Sequence, residues 1–153
     1  NDKAVKNKSL ETLSALYKKG LEADEIGDFK TSINYYSKCL NIDSTFAYGY
    51  FARGTAQLNS LQFDYAIQDL NRAIIIEPCF AEAYANRAFS IIRKWDFKDS
   101  RILSNNLGVQ VFASKESDYT PELLAEVCSD LQKAIELGDS TTMVAEFAKN
   151  HCK

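Results

Sequence analysis

The chain has 153 residues, with 18 Lys and Arg against 21 Asp and Glu, a net charge of −3 and 46% hydrophobic residues. This composition is typical of one globular domain. The mild acidity, without a cluster of Lys and Arg, argues against nucleic-acid binding. The six Gly and two Pro are too few for the many turns of a β-sandwich or barrel, so helices are favoured. No apolar run approaches the roughly 20 residues that span a bilayer, so no membrane insertion is expected.

The chain begins with Asn1 rather than Met, which we interpret as a fragment or a processed form. The compartment therefore stays open, with the cytoplasm slightly favoured over an exported or periplasmic location. The four cysteines are scattered and form no C-x-x-C pair, so free thiols are expected at Cys39, Cys79, Cys128 and Cys152.

Residues of similar type recur at an interval of 34. The interval holds for small residues at Gly20, Gly54 and Ala88 and for aromatic residues at Phe29, Phe63 and Phe97. Apolar spacings of three and four between these positions predict two amphipathic helices in each copy. The first helix is expected to end near Gly27 or Leu61, and the second to start after Asp28-Phe29 or Gln62-Phe63. These features define repeat 1 as 13–46 and repeat 2 as 47–80.

A third copy begins at Ala81, but its expected second helix is interrupted, since Arg101 and Ser104 occupy apolar positions. The segment 130–137 matches 69–76 at an offset of 61. We therefore predict repeat 3 as 81–141, with a 27-residue insertion at about 98–120.

The end of the insertion is marked by Thr120 as a helix N-cap and Pro121 in the first turn. The rival interpretation is a short broken helix over 98–107 followed by an independent helix. Residues 109–112 form an apolar, strand-like stretch within the insertion, which offers a segment to fill a groove elsewhere in the chain. A last apolar stripe predicts a cap helix over 142–151.

These segments resemble the tetratricopeptide repeat (TPR) family, most sharply at 50–54, 66–78 and 83–88. Repeat 1 departs from the family pattern, with Leu16, Cys39 and Ser44 where an aromatic residue, Ala and Pro are favoured. The resemblance implies an all-α fold: a single domain over 1–153 that forms a right-handed superhelix of helix-turn-helix repeats with a C-terminal capping helix.

In such a superhelix the first helix of each pair lines a concave groove. We expect this groove to bind a peptide or protein segment, so that the chain acts as a non-enzymatic adaptor. The alternative is that several of its rings pack against the N-terminal segment, the insertion or a neighbouring repeat. The predicted groove residues are Tyr17, Lys18, Leu21, Tyr48, Phe51, Thr55, Leu58, Glu82, Asn86, Phe89 and Arg93.

One use of this family is a set of Lys, Asn and Arg side chains that grips the C-terminal carboxylate of chaperone tails. This chain has Tyr17 and Leu21 where the first Lys and Asn would lie, Ala52 where the second Asn would lie, and Glu82 and Asn86 where the final Lys and Arg would lie. Because Glu82 would repel an acidic peptide, we argue against this clamp.

Chemistry of other kinds has little support in the sequence. The single His, His151, adjoins Cys152 at the chain's end, and adjacent side chains usually point apart. Cys39 and Cys128 fall at apolar packing positions and are expected to be buried thiols. No catalytic residue, metal site or cofactor is predicted. The competing function is structural self-association, as a homo-oligomer or as one segment of a longer solenoid.

Overall fold

The computed structural model describes residues 2–99, 101–104, 110–113 and 119–152. Within them the chain forms seven α-helices and one pair of short strands. The elements are α1 (Asp2–Glu25), α2 (Phe29–Ile42), α3 (Ala47–Asn59), α4 (Phe63–Ile76), α5 (Ala81–Asp99), β1 (Arg101–Ser104), β2 (Gln110–Ala113), α6 (Pro121–Glu136) and α7 (Thr142–His151). The fold is an all-α helical repeat, as the sequence predicts. No helix in the described part is long and apolar enough to cross a bilayer.

Local sequence fixes where the helices start. Asp28 caps α2, because its carboxylate accepts a hydrogen bond of 3.1 Å from the Thr31 amide. Thr120 caps α6 in the same way for the Leu123 amide, and Pro121 follows in the first turn. Gly27, between α1 and α2, has a φ of 75°, a conformation that Gly adopts at no steric cost. The predicted starts of α2, α4 and α6 are confirmed.

Each helix packs against the next, so that α1 to α6 form three stacked hairpins and α7 packs on α6. Small residues allow the close approach within the first two hairpins. A Cβ at Gly20 would overlap the buried ring of Tyr36, and one at Gly54 would lie 3.0 Å from Cγ of Leu70. The core continues to the end of the stack, where Val127, Leu131 and Val144 join α6 to α7.

A repeated arginine contact holds successive hairpins together, and the sequence analysis missed it. Arg53 on α3 forms a bidentate ion pair with Asp69 on α4, at 2.7 and 2.8 Å, and donates a third hydrogen bond to Ser37 on α2. One interval later, Arg87 on α5 pairs with Asp130 on α6 and donates to Asn71 on α4. These contacts identify α6 as the partner helix of α5 despite the inserted segment between them.

The insertion contains an antiparallel hairpin in its described residues, with Ile102 opposite Phe112 and Leu103 opposite Val111. The rival interpretation of a helix over 98–107 is therefore wrong, since β1 occupies 101–104. The strand-like stretch is confirmed at 110–112, while its first residue, Val109, lies outside the described residues.

The expectation of four free thiols is wrong, because Cys128 on α6 is disulfide-bonded to Cys152, just after α7, with a Cα–Cα distance of 5.4 Å. The prediction failed because the two residues are 24 apart in sequence and no local spacing marks the pair. Cys39 is a buried free thiol, as expected, and burial raises its pKa, while Cys79 is free and exposed. The bond ties the end of the cap helix to the last hairpin.

Candidate functional site

Five aromatic rings follow one another across the first helices of the first two repeats and the start of the third. We call them the aromatic row: Tyr17, Phe46, Tyr48, Phe80 and Phe51. Successive ring centroids lie 5.3, 6.4, 4.9 and 4.6 Å apart. All four distances lie within the 4.5–7 Å at which aromatic pairs attract each other.

Helix boundaries place these rings together. Phe46 is the N-cap residue of α3, and Phe80 directly precedes α5, one repeat interval later. Phe80 is 7% exposed and supports Tyr48 on one side and Phe51 on the other. Tyr48 itself is 57% exposed. The row therefore has a buried base and an accessible ring near its centre.

A hydrogen-bonded pair joins α3 to α5 one turn beyond Phe51. The Asn86 side-chain amide donates to Oγ1 of Thr55 at 2.9 Å, and that hydroxyl donates to the Phe51 carbonyl at 2.9 Å. The contact fixes the relative position of the two helices. The same bonds use hydrogen-bonding groups of Thr55 and Asn86, which are both predicted groove residues.

The remaining predicted residues differ in exposure. Lys18 is exposed and lies 3.9 Å from Glu22, and Leu21 is 41% exposed. Glu82 and Arg93 on α5 are exposed. Leu58 and Phe89 are half-buried and pack against the cores of the second and third hairpins, respectively. Some of these side chains thus contribute to packing as well as to the surface.

Some rings of the aromatic row also pack within the protein, as expected from the alternative interpretation that several of these rings contribute to packing. Tyr17 lies against Tyr36 with ring centroids 5.5 Å apart, and Phe51 packs with Phe80 beside the second hairpin's core. Burial raises the pKa of Tyr17, and the negative charge of Asp24 acts in the same direction. Tyr17 therefore stays neutral and anchors the first helix.

A half-buried carboxylate, Asp24, lies at the α1 end of this surface. Oδ2 of Asp24 accepts a hydrogen bond of 2.6 Å from the hydroxyl of Tyr36, whose own pKa is raised by burial and then by this bond. Oδ1 of Asp24 is buried without a donor. Asp24 lies 34 residues before Leu58, so the repeat interval aligns it with a predicted groove residue. Asp24 itself was not included among those residues.

The sequence analysis also missed Phe46 and Phe80 as members of the surface. The two residues are 34 apart, but neither was included among the predicted groove residues. Both residues directly precede the first helix of a repeat, whereas the groove residues were sought within the first helices, so their contacts with Tyr48 were not predicted. For metal binding, the described residues contain no group of three His, Cys, Asp or Glu side chains that is placed to hold an ion.

No family model and no curated protein matches the sequence. Solved structures do match the fold. The TPR domain of Arabidopsis OM64 superposes with a TM-score of 0.72 at 17% identity, covering 94% of this chain and 97% of that one. The second TPR domain of human RPAP3, in complex with the HSP70 peptide SGPTIEEVD, gives 0.69 at 16% identity, covering 95% and 98%.

The TPR2B domain of yeast Sti1, in a complex with Hsp70, gives a TM-score of 0.64 at 19% identity and covers 92% of this chain and 90% of that one. Identities this low establish the fold and leave the ligand open. Together with the 34-residue interval and the stacked hairpins, these similarities show that the chain has the fold of a tetratricopeptide repeat domain.

Proposed function

We propose that this domain is a non-enzymatic adaptor that binds a peptide or protein segment along the first helices of its repeats. The observation that carries the proposal is the aromatic row. The accessible ring of Tyr48, in the first turn of α3, packs against the buried ring of Phe80, which directly precedes α5. Rigid, supported aromatic side chains of this kind supply most of the binding energy at protein interfaces.

The similar structures support a general peptide-binding role, since RPAP3 and Sti1 TPR domains are described with chaperone peptides. The charges favour a different ligand here. Glu82 is exposed at the start of α5, and Lys18 lies within 3.9 Å of Glu22. A surface with these charges disfavours a peptide that ends in several carboxylates.

The proposal is tested by selecting binders from a displayed library of random 12-residue peptides and measuring their dissociation constants with purified protein. Tyr48→Ala is expected to weaken the best peptides about tenfold or more, because it removes the exposed anchor. Tyr65→Ala is the matched control, since Tyr65 on α4 is similarly exposed at 61% but lies outside the aromatic row.

The two variants separate the possible results. Equal losses for Tyr48→Ala and Tyr65→Ala, or none for either, would place binding away from the aromatic row. If no peptide is enriched and light scattering gives the mass of a dimer or larger assembly, self-association becomes the better account of the molecule.

A further inference from the structure

The first helix of the third repeat continues past the position at which its counterparts end. α1 and α3 each end two residues before a turn residue with a positive φ angle, Gly27 at 75° and Leu61 at 63°. The equivalent residue of the third repeat, Trp95, lies inside α5, which continues to Asp99. We call residues 94–99 the α5 extension. It carries an aromatic side chain to a place where the first two repeats have already turned.

Contacts on two sides hold the α5 extension in place. On one side, the Phe97 ring meets the ring of Phe63, the first residue of α4, edge-on, with the centroids 5.8 Å apart. On the other side, the Tyr119 hydroxyl donates a hydrogen bond of 3.2 Å to Oδ1 of Asp96. The extension is therefore fixed between the start of α4 and the segment that leads into α6.

A cavity of about 370 Å³, which we call the Trp95 cavity, lies between α4, α5 and α6. Its base is apolar, because Ile91 is 7% exposed in the core of the third hairpin, and Ile67 and Leu123 pack against the same core. Pockets that bind small molecules have volumes of about 300–1,000 Å³ and mostly apolar walls. The residues that line the cavity are Ile67, Ile91, Lys94, Trp95, Leu123 and Glu126.

The charged residues that line the Trp95 cavity favour a cation. The Lys94 ammonium forms an ion pair with the Asp64 carboxylate, which offsets its charge. Glu126 is exposed and forms no ion pair within the part of the chain that the structure describes. The faces of the Trp95 indole also attract cations, because they carry partial negative charge. An unpaired carboxylate and an indole thus line one apolar cavity.

We propose that the Trp95 cavity binds a small apolar molecule with one ammonium group, of the arylalkylamine class. The apolar part of the ligand lies against Ile67 and Trp95, and its ammonium group lies beside the Glu126 carboxylate. This site is separate from the proposed peptide surface, since no residue that lines it belongs to the aromatic row or to the predicted groove. The inference therefore goes beyond the adaptor function.

The test is a titration of the purified chain with phenethylamine, followed by tryptophan fluorescence, because Trp95 is the single tryptophan. Hydrocinnamate and phenethyl alcohol are the anionic and neutral probes of similar size. Phenethylamine is expected to change the emission saturably, at about millimolar concentration for a ligand this small. Hydrocinnamate is expected to bind at least about fivefold more weakly, because its carboxylate is repelled by Glu126.

Three variants locate the binding. Glu126→Gln is expected to weaken phenethylamine about threefold, since an ion pair with an exposed carboxylate contributes modestly. Glu146→Gln is the matched control, because Glu146 is also exposed but lies on α7, away from the cavity, and the change in net charge is the same. Ile67→Phe fills part of the cavity and is expected to weaken binding more than about tenfold. Thermal melting checks that each variant is folded.

Three results would each overturn the inference. They are an emission that does not saturate with phenethylamine, equal affinities for the amine, the acid and the alcohol, and equal effects of Glu126→Gln and Glu146→Gln. None of these results bears on the adaptor function, which the selection of peptides tests separately.

Discussion

The contact between Gly20 and Tyr36 shows how one residue pair sets the distance between two helices. Tyr36 is fully buried, and its hydroxyl is held by Asp24, so its ring cannot move away from α1. The equivalent pair in the second hairpin is Gly54 with Leu70, and the third has Ala88 with Leu131 in one core cluster. In each hairpin a small residue on the first helix thus lies beside a large side chain on the second helix.

Gly20→Ala is expected to destabilise the protein by about 1–2 kcal/mol, because overpacking the Tyr36 ring outweighs the better helix propensity of Ala. In a Tyr36→Leu background the same change should be neutral or stabilising, since Leu leaves room for the methyl group. Urea denaturation of the four proteins in this cycle measures the coupling. Additive effects would mean that the ring does not restrict α1.

At the residue scale the sequence predicted the small residues at the helix contacts, because they recur at one interval. It did not predict the Cys128–Cys152 bond, since that pair depends on how α7 folds back on α6. The groove residues stay a prediction. Their exposure ranges from the accessible Tyr48 to the half-buried Leu58 because one helix face serves both the surface and the core.

The arginine contacts join elements that are far apart in sequence. Arg87 lies 43 residues from Asp130 and stacks on Tyr84 at 5.6 Å, just as Arg53 stacks on Tyr50 at 5.7 Å. The first repeat has a different arrangement at this position, with Lys19 5.9 Å from the ring centre of Tyr35. The arginine ion pairs thus lie in the second and third hairpins, each of which packs on a preceding hairpin.

Asp130→Asn is expected to destabilise the protein by about 3 kcal/mol, because it leaves the Arg87 guanidinium in a largely buried site without its anion. The side chain of Asp130 is 6% exposed. Asp64→Asn breaks an exposed ion pair with Lys94 and should cost less than about 1 kcal/mol. Denaturant midpoints at equal m-values compare the two, and similar losses would contradict a structural role for the Arg87 pair.

At the element scale, helix starts were predictable from two signals. The repeat interval marks Phe29 and Phe63, and the capping residues Asp28 and Thr120 mark the starts of α2 and α6. The inserted segment was harder to predict. Its polar residues suggested a loop or a broken helix, with one strand-like stretch at 109–112, whereas two strands, β1 and β2, pair across the insertion. Short strands of this kind are set by pairing between residues, which periodicity within either strand does not reveal.

The whole molecule is a stack of three hairpins that ends in a cap helix. Val144 closes the core, and the Cys128–Cys152 bond holds the end of α7. A cross-link over 24 residues typically stabilises a fold by about 3 kcal/mol, and bonds of this kind are most common in oxidising compartments. The all-α repeat fold was predictable as a whole, because one interval governs both packing and helix length. The ligand was not, because the fold carries many partners.

The central claim is that a peptide binds along the first helices of the repeats. Chemical-shift mapping of the labelled protein with a library-selected peptide tests it most directly. The largest changes are expected at Tyr48, Phe51, Thr55 and Asn86, and those on the outer face of α4, at Tyr65 and Ile75, are expected to be small. Changes centred on α4, with none along α3 and α5, would contradict the account.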